Sequence, residues 1–188
     1  ETTSHGTTSF DYDAAGRMTS VTRPEGTITH TLDGNGNVTA STSTGPSTSV
    51  TRAFDALDRI ESRTDAFGNT VQFRYDVAGN LTTLTYSDLK TVDYQYDLLG
   101  RLVRVEDWNG AVTTYDYDSI GNLTQITRPD GSVQDFVYDT AHRLTDITDK
   151  KADDSILYGV QYTLDPMGNR TDAQLTLPLD PSHDVVGP

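Results

Sequence analysis

The 188-residue sequence contains no cysteine, only three lysines and four glutamates, and a single tryptophan. Without cysteine there is neither a disulfide scaffold nor a Cys-ligated metal domain, although the compartment stays undecided. Glu and Lys are the usual helix-surface residues, so their scarcity argues against a helical bundle. No run of about 18 apolar residues occurs, and no membrane insertion is expected. Basic charge is also short. Fourteen Lys and Arg stand against 28 Asp and Glu, for a net charge of −14. A field of that sign repels nucleic acid and anionic membrane surfaces. In place of the missing residues stand 24 Asp, 30 Thr and 15 Gly, the residues of turns and strands. The length suits one ordinary domain. Glu1 to Gly6 carries no initiator Met, basic segment or apolar run. The expectation is a piece of a longer chain, with the rest of that polypeptide as its first partner.

A repeat organises the sequence. The motif is an aromatic residue or Leu, then Asp-x-x-Gly, then Arg or Asn, then usually an aliphatic residue. Copies begin at Tyr12, Leu32, Phe54, Tyr75, Tyr96, Tyr117, Tyr138 and Leu164, with gaps of 20, 22, 21, 21, 21, 21 and 26 residues. Asp fills the second place in every copy: Asp13, Asp33, Asp55, Asp76, Asp97, Asp118, Asp139 and Asp165. The fifth place is Gly except at Asp58 and His142. Asp and His are among the non-Gly residues that best tolerate a left-handed backbone, so the pattern predicts a turn residue at positive φ. The Asp before it is suited to accept hydrogen bonds from the turn's backbone N–H groups.

Period-two alternation precedes each turn, as in Val71, Phe73, Tyr75 and Thr113, Tyr115, Tyr117. After the turn come aliphatic pairs three apart, such as Leu81 with Leu84 and Leu102 with Val105. That spacing fits either a bulge or a two-sided strand. A second turn closes each repeat, as at Arg23-Pro24-Glu25-Gly26 and Asp107-Trp108-Asn109-Gly110. The predicted fold is all-β: repetitive antiparallel hairpins, about 21 residues per repeat, in a sheet that curls or spirals because open sheets rarely exceed about ten strands. The strip is expected over 1–170, with 171–188 as an irregular Pro-containing tail or edge cap. A longer rhythm overlies the first. The sixth place alternates without a break: Arg17, Asn37, Arg59, Asn80, Arg101, Asn122, Arg143, Asn169. The expectation is that Arg17, Arg59, Arg101 and Arg143 form charge-assisted bonds to a repeat Asp on a neighbouring turn. Asp13, Asp55, Asp76, Asp97, Asp118 and Asp139 are thereby read as structural turn and ion-pair residues.

With Tyr-x-Tyr-Asp-x-x-Gly-Arg-Leu intact at Tyr94 to Leu102, and again with Asn for Arg at Tyr115 to Leu123, the chain resembles the RHS/YD-repeat family from about Phe10 to Arg170. Members include bacterial Rhs and wall-associated proteins, shell components of insecticidal toxin complexes, and teneurins. The resemblance implies a β-strip that builds a hollow shell, here a partial one, in a secreted or cell-surface protein, most simply bacterial. Asp165-Pro166-Met167-Gly168-Asn169 begins like the aspartyl autoprotease motif of the toxins, but Asn169 stands where that motif has Leu. It is also the eighth repeat in register, so self-cleavage is not implied.

No residue pattern points to a cofactor, a metal or a catalytic group. Asp33 to Asn37 places oxygens at alternate positions as calcium loops do, yet Val38 and Thr44 occupy the places of the required Gly and Glu. Asn37, Asn80, Asn122 and Asn169 head Asn-x-Thr triplets, explained either as glycosylation acceptors or as turn Asn followed by strand Thr. Phe67 and Trp108 sit in closing turns 41 residues apart. Regular stacking would put them on one edge, roughly 19 Å apart at about 4.8 Å per strand. With Tyr86 they are the candidate ligand contacts. Two functions follow: a non-enzymatic extracellular scaffold forming a shell wall or surface fibre, or a carbohydrate-binding or adhesion module contacting an extracellular glycan or protein through aromatic residues.

Overall fold

The computed structural model describes residues 6–45 and 48–178. Sixteen strands account for most of them: β1 (Ser9–Tyr12), β2 (Met18–Arg23), β3 (Gly26–Leu32), β4 (Val38–Ser43), β5 (Thr48–Phe54), β6 (Ile60–Thr64), β7 (Thr70–Tyr75), β8 (Leu81–Thr85), β9 (Thr91–Tyr96), β10 (Leu102–Glu106), β11 (Val112–Tyr117), β12 (Leu123–Thr127), β13 (Val133–Tyr138), β14 (Leu144–Lys150), β15 (Ile156–Leu164) and β16 (Arg170–Thr176). They pair antiparallel in sequence order within one sheet, and no helix occurs among the described residues. Two compact bodies divide the chain, Glu1–Asp93 and Tyr94–Pro188.

The three-residue spacing of the aliphatic pairs resolves as a bulge. In the first body Asp11 faces Ser20 but Tyr12 faces Met18, so Thr19 is the extra residue. Thr39, Glu61 and Thr82 occupy the same place in β4, β6 and β8. In the second body Thr124, Thr145 and Thr171 do so in β12, β14 and β16. The extra residue returns the second aliphatic residue to the face of the first, which two-residue alternation alone would forbid. Thr suits the site because its hydroxyl donates across to a carbonyl of the preceding strand. Thr39 reaches Thr31, Thr82 reaches Arg74, Thr145 reaches Val137 and Thr171 reaches Thr163, at 3.1–3.2 Å. The Thr of Asn37-Val38-Thr39, Asn80-Leu81-Thr82 and Asn169-Arg170-Thr171 is thus a bulge residue.

In each body one face carries cross-strand apolar pairs: Phe10 with Val21 and Phe73 with Leu84 in the first, Tyr115 with Ile126, Phe136 with Ile147 and Tyr162 with Ala173 in the second. The other carries polar ladders, including Thr83 with Asp93, Gln125 and Lys150 with Asp135, and Gln161 with Asp146. Stable domains ordinarily pack two layers around a core. Here the described apolar core consists of Val21, Val92 and Val160, and no large side chain is fully buried. Cross-strand pairs contribute about 0.2–1 kcal/mol each, so the turns must contribute heavily to order.

The regular strip runs past its expected end. Residues 170–176 form β16, paired with β15 through Tyr162–Ala173 and Gln161–Gln174, where an irregular tail is expected from Thr171. Alternation in that stretch is blurred, because all seven residues of β16 are exposed at the end of the strand order. Residues 179–188, the remainder of that tail, lie outside the described residues. Between β14 and β15 the added residues lengthen both strands and end in an ordinary five-residue turn, closed by Lys151 N–H donating to the Ser155 carbonyl.

Candidate functional site

Each repeat turn is a type I turn followed by a left-handed residue, the three-residue hairpin connection. At the first, Gly16 N–H donates to the Asp13 carbonyl at 3.0 Å and Asp13 N–H to the Arg17 carbonyl at 2.9 Å. The other seven turns repeat both bonds. The fifth residue carries the positive φ, 77° at Gly16, 60° at Asp58 and 62° at His142. The Asp carboxylate fills the turn's centre. Asp13 Oδ1 accepts from the N–H groups of Ala15 and Arg17, each at 2.9 Å. That arrangement recurs at Asp33, Asp55, Asp76, Asp97, Asp118, Asp139 and Asp165.

The second carboxylate oxygen separates two turn types. In Arg-type repeats it accepts from the guanidinium of its own repeat: Arg17 Nε to Asp13 at 2.7 Å, Arg59 to Asp55 at 2.7 Å, Arg101 to Asp97 at 2.6 Å and Arg143 to Asp139 at 2.7 Å. In Asn-type repeats the Asn side-chain amide donates instead, at 2.8–3.0 Å in Asp33, Asp76, Asp118 and Asp165. The expected ion pair to a neighbouring turn's carboxylate is therefore not the contact formed. A residue four positions on, across a left-handed residue, falls beside its own Asp, and the next Asp already has an Asn donor.

The guanidinium nonetheless reaches the next turn. Nη1 of Arg17, Arg59, Arg101 and Arg143 donates to the backbone carbonyls of Asp33, Asp76, Asp118 and Asp165, at 3.1, 3.2, 3.3 and 3.0 Å. Where the following repeat opens with Tyr, the guanidinium also lies over the ring, 4.5 Å for Arg59 on Tyr75 and 4.7 Å for Arg101 on Tyr117. Tyrosine hydroxyls point back the other way. Tyr75, Tyr117 and Tyr138 donate to the carbonyls of Ile60, Leu102 and Leu123, each at 2.9 Å. Each Arg-type turn is clamped to the Asn-type turn after it, which accounts for the doubled period.

This clamp gives the left-handed residues of the two turn types different surroundings. A Cβ on Gly36, Gly79, Gly121 or Gly168, all in Asn-type turns, would meet the preceding Arg side chain at 3.4–3.9 Å, whereas one on Gly16 would meet nothing within 4 Å. Both replacements, Asp58 and His142, stand in Arg-type turns. Asp58 takes on a further role there, accepting from the side-chain amides of Asn35 and Asn37 at 2.7 Å.

These bonds hold the turn carboxylates below the ordinary value of 3.8. Backbone N–H donation from the Arg is the leading cause at Asp13, Asp55, Asp97 and Asp139. At Asp33, Asp76 and Asp165 the Asn side chain leads. At Asp118 burial opposes the shift most, and the Asn122 N–H and side chain outweigh it with the other turn donors. The oxygens of Asp33 are occupied by the N–H groups of Asn35, Gly36 and Asn37 and by the Asn37 amide.

The aromatic candidates sit in closing turns. Phe67 tops the β6–β7 turn and is 91% exposed, while Asp65 accepts from its N–H at 2.9 Å. Tyr86 opens the β8–β9 turn at 38% exposure, and Trp108 lies in the β10–β11 turn at 46%.

A family profile described as Teneurin YD-shell matches residues 1–166. No curated protein matches the chain. Among solved structures it is similar to the crystal structure of TcdB2-TccC3-Cdc42, with a TM-score of 0.67 and 18% identity over 90% of this chain and 13% of that one. It is also similar to the Photorhabdus luminescens Tc holotoxin pore, with a TM-score of 0.66 and 19% identity over 94% of this chain and 13% of that chain. At such identities the likeness is one of fold, and this chain spans 13% of the length of either structure.

Proposed function

The chain belongs to the Teneurin YD-shell family, and on that premise we propose that it is a stretch of structural wall, a non-enzymatic scaffold segment within a larger exported bacterial protein. The observation that carries this reading is the clamp between successive turns. It spends each repeat's carboxylate on closing its own turn, and the guanidinium of the four Arg-type repeats and the phenol of three repeats on fixing one hairpin to the next. A carboxylate committed to two backbone N–H groups and a cation stays ionised and is poorly suited to proton transfer. The shallow core supports the same reading, because a one-layer sheet is completed by what lies against it in a larger assembly. Its similarity in fold to components of Tc toxin assemblies favours a secreted or cell-surface setting.

The test combines imaging with assay. Electron microscopy of the polypeptide that contains this chain is expected to show residues 9–176 as continuous β-wall, with further strands against β1 and β16. A panel of glycosides, peptides and phosphoesters is expected to yield no turnover. Turnover abolished by a single Asp→Asn change, or solvent against both end strands, overturns the proposal.

A second reading, carbohydrate binding, rests on the exposure of Phe67. An aromatic ring at a rigid turn tip is a stacking surface for a sugar ring. Glycan-array binding that falls on Phe67→Ala or Trp108→Ala supports it, and an array without signal removes it.

A further inference from the structure

The apolar cross-strand pair just before each turn is broken in two adjacent repeats. Where other repeats place Phe10 with Val21 or Phe73 with Leu84, repeat two has His30 opposite Ser41 and repeat three has Arg52 opposite Arg63. Like charges directly opposite on antiparallel strands are destabilising. In a chain with 28 acidic residues, neither arginine forms a direct ion pair among the described residues, and Arg63 acts only as a weaker charge on Asp65, whose carboxyl is held low first by the Asn69 side chain. Arg52 is half-buried and Nη1 donates only a long 3.4 Å bond to the Val38 carbonyl, while Arg63 is exposed. The register puts all four residues on one face of β3 to β6. His30 faces Ser41, Ser41 faces Val50, Arg52 lies two residues from Val50, and Arg52 faces Arg63. His30 and Ser41 are joined through Nδ1 and Oγ at 3.0 Å. Val50, Phe54 and Val71 border the group on the same face.

We infer that this patch binds a single tetrahedral oxyanion, a phosphate or sulfate group, either free or as a monoester. Two guanidinium groups carried on adjacent strands, with a hydroxyl and an imidazole on the same face, offer more donors than a carboxylate has oxygens to accept. The surrounding charge of −14 repels an extended polyanion, so a lone anionic group is favoured over nucleic acid or a heavily sulfated chain. Binding also removes the repulsion between the two arginines, which gives the pair a reason to exist.

The test is thermal unfolding and calorimetric titration of the 188-residue chain with inorganic phosphate, sulfate, phenyl phosphate and acetate at constant ionic strength. Phosphate and sulfate are expected to raise Tm saturably. The variant Arg52→Phe with Arg63→Leu installs the pair found in repeat four. It is expected to be more stable than the parent without ligand, and to bind phosphate at least about tenfold more weakly. Because phosphate and sulfate also stabilise proteins by exclusion from the surface, the difference between parent and variant is the readout. A second variant, Arg52→Gln with Arg63→Gln, is expected to lose the response equally and covers a first variant that misfolds. A larger shift with phenyl phosphate assigns an ester, and equal shifts assign the free ion. Acetate as effective as phosphate, or variants that respond like the parent, overturn the inference.

Discussion

The turns at Asp97–Arg101 and Asp118–Asn122 share one backbone and one carboxylate pattern, yet only the first reaches outward. Arg101 closes its own turn through Asp97 and then extends to the carbonyl of Asp118, lying over Tyr117 on the way. Asn122 is too short for that and satisfies Asp118 alone. One turn is a clamp and the other its seat. A Cβ at the seat's left-handed residue stands at contact distance from the incoming Arg, whereas one at Gly16 in a clamp meets nothing within 4 Å. The doubled period therefore records a division of labour between neighbours that look alike in isolation.

The largest expected effect erases that difference. The repeat carboxylates of both turn types have folded-state pKa values below 3.8. Depressed values stabilise the fold above the unfolded-state pKa, and the contribution disappears as pH falls through the folded values. Stability is expected to be flat above about pH 5 and to collapse below the ordinary carboxylate value, with several protons taken up together. Urea unfolding followed by far-UV circular dichroism between acid and neutral pH measures this. A midpoint unchanged down to the strongly acidic range would show that the carboxylates do not hold the turns.

Next comes the asymmetry of the left-handed residue. Gly16→Asn places a tolerant side chain in open space, and Gly121→Asn places the same side chain against Arg101. The first is expected to cost less than about 1 kcal/mol and the second up to about 1 kcal/mol more, because the Asn atoms beyond a Cβ already in contact with Arg101 must share its space. Equal costs in denaturant titrations would break the comparison. A smaller effect lies in the clamp itself. Arg101→Lys keeps the charge but loses the fork, and a double-mutant cycle with Tyr117→Leu is expected to give a coupling of about 0.5–1 kcal/mol. A cycle of Arg143→Lys with Leu164→Ala should give far less, because Leu164 offers that guanidinium no ring.

Much of this architecture was legible in the residues. The spacing of Asp and Gly located all eight turns, and Asp58 and His142 marked the left-handed position because few other side chains adopt it. The partner of each arginine was not legible. A carboxylate four residues back competes with one a repeat away, and only the turn's curl decides between them. Nor could two-residue alternation separate a bulge from a two-sided strand, since the extra residue changes the face of everything after it. The signal was nevertheless present: Thr recurs at the bulge because its hydroxyl caps a carbonyl there. The backward reach of the Tyr hydroxyls was also hidden, because it depends on which strands lie side by side.

The smallest effect belongs to the opposite edge of the sheet. Five closing turns keep the same backbone bonds with varied sequence, headed by Asp65, Tyr86, Asp107, Arg128 and Lys151. Two of them carry a non-Gly residue at the left-handed place, Leu89 at φ 67° and Asp154 at φ 64°. Phe67 is 91% exposed, and only its backbone N–H is engaged, by Asp65. Phe67→Ser should therefore change unfolding free energy by no more than about 0.5 kcal/mol, as at surface sites generally. Gly68, at φ 86°, supplies the strained position of that turn instead, so Gly68→Val is expected to cost about 1–2 kcal/mol at the same tip. A Phe67→Ser variant as damaged as Gly68→Val would mean that the ring is packed in solution. A neutral one leaves the ring as surface that fold stability does not require, and locates selection for Phe at that tip outside the strip's own folding.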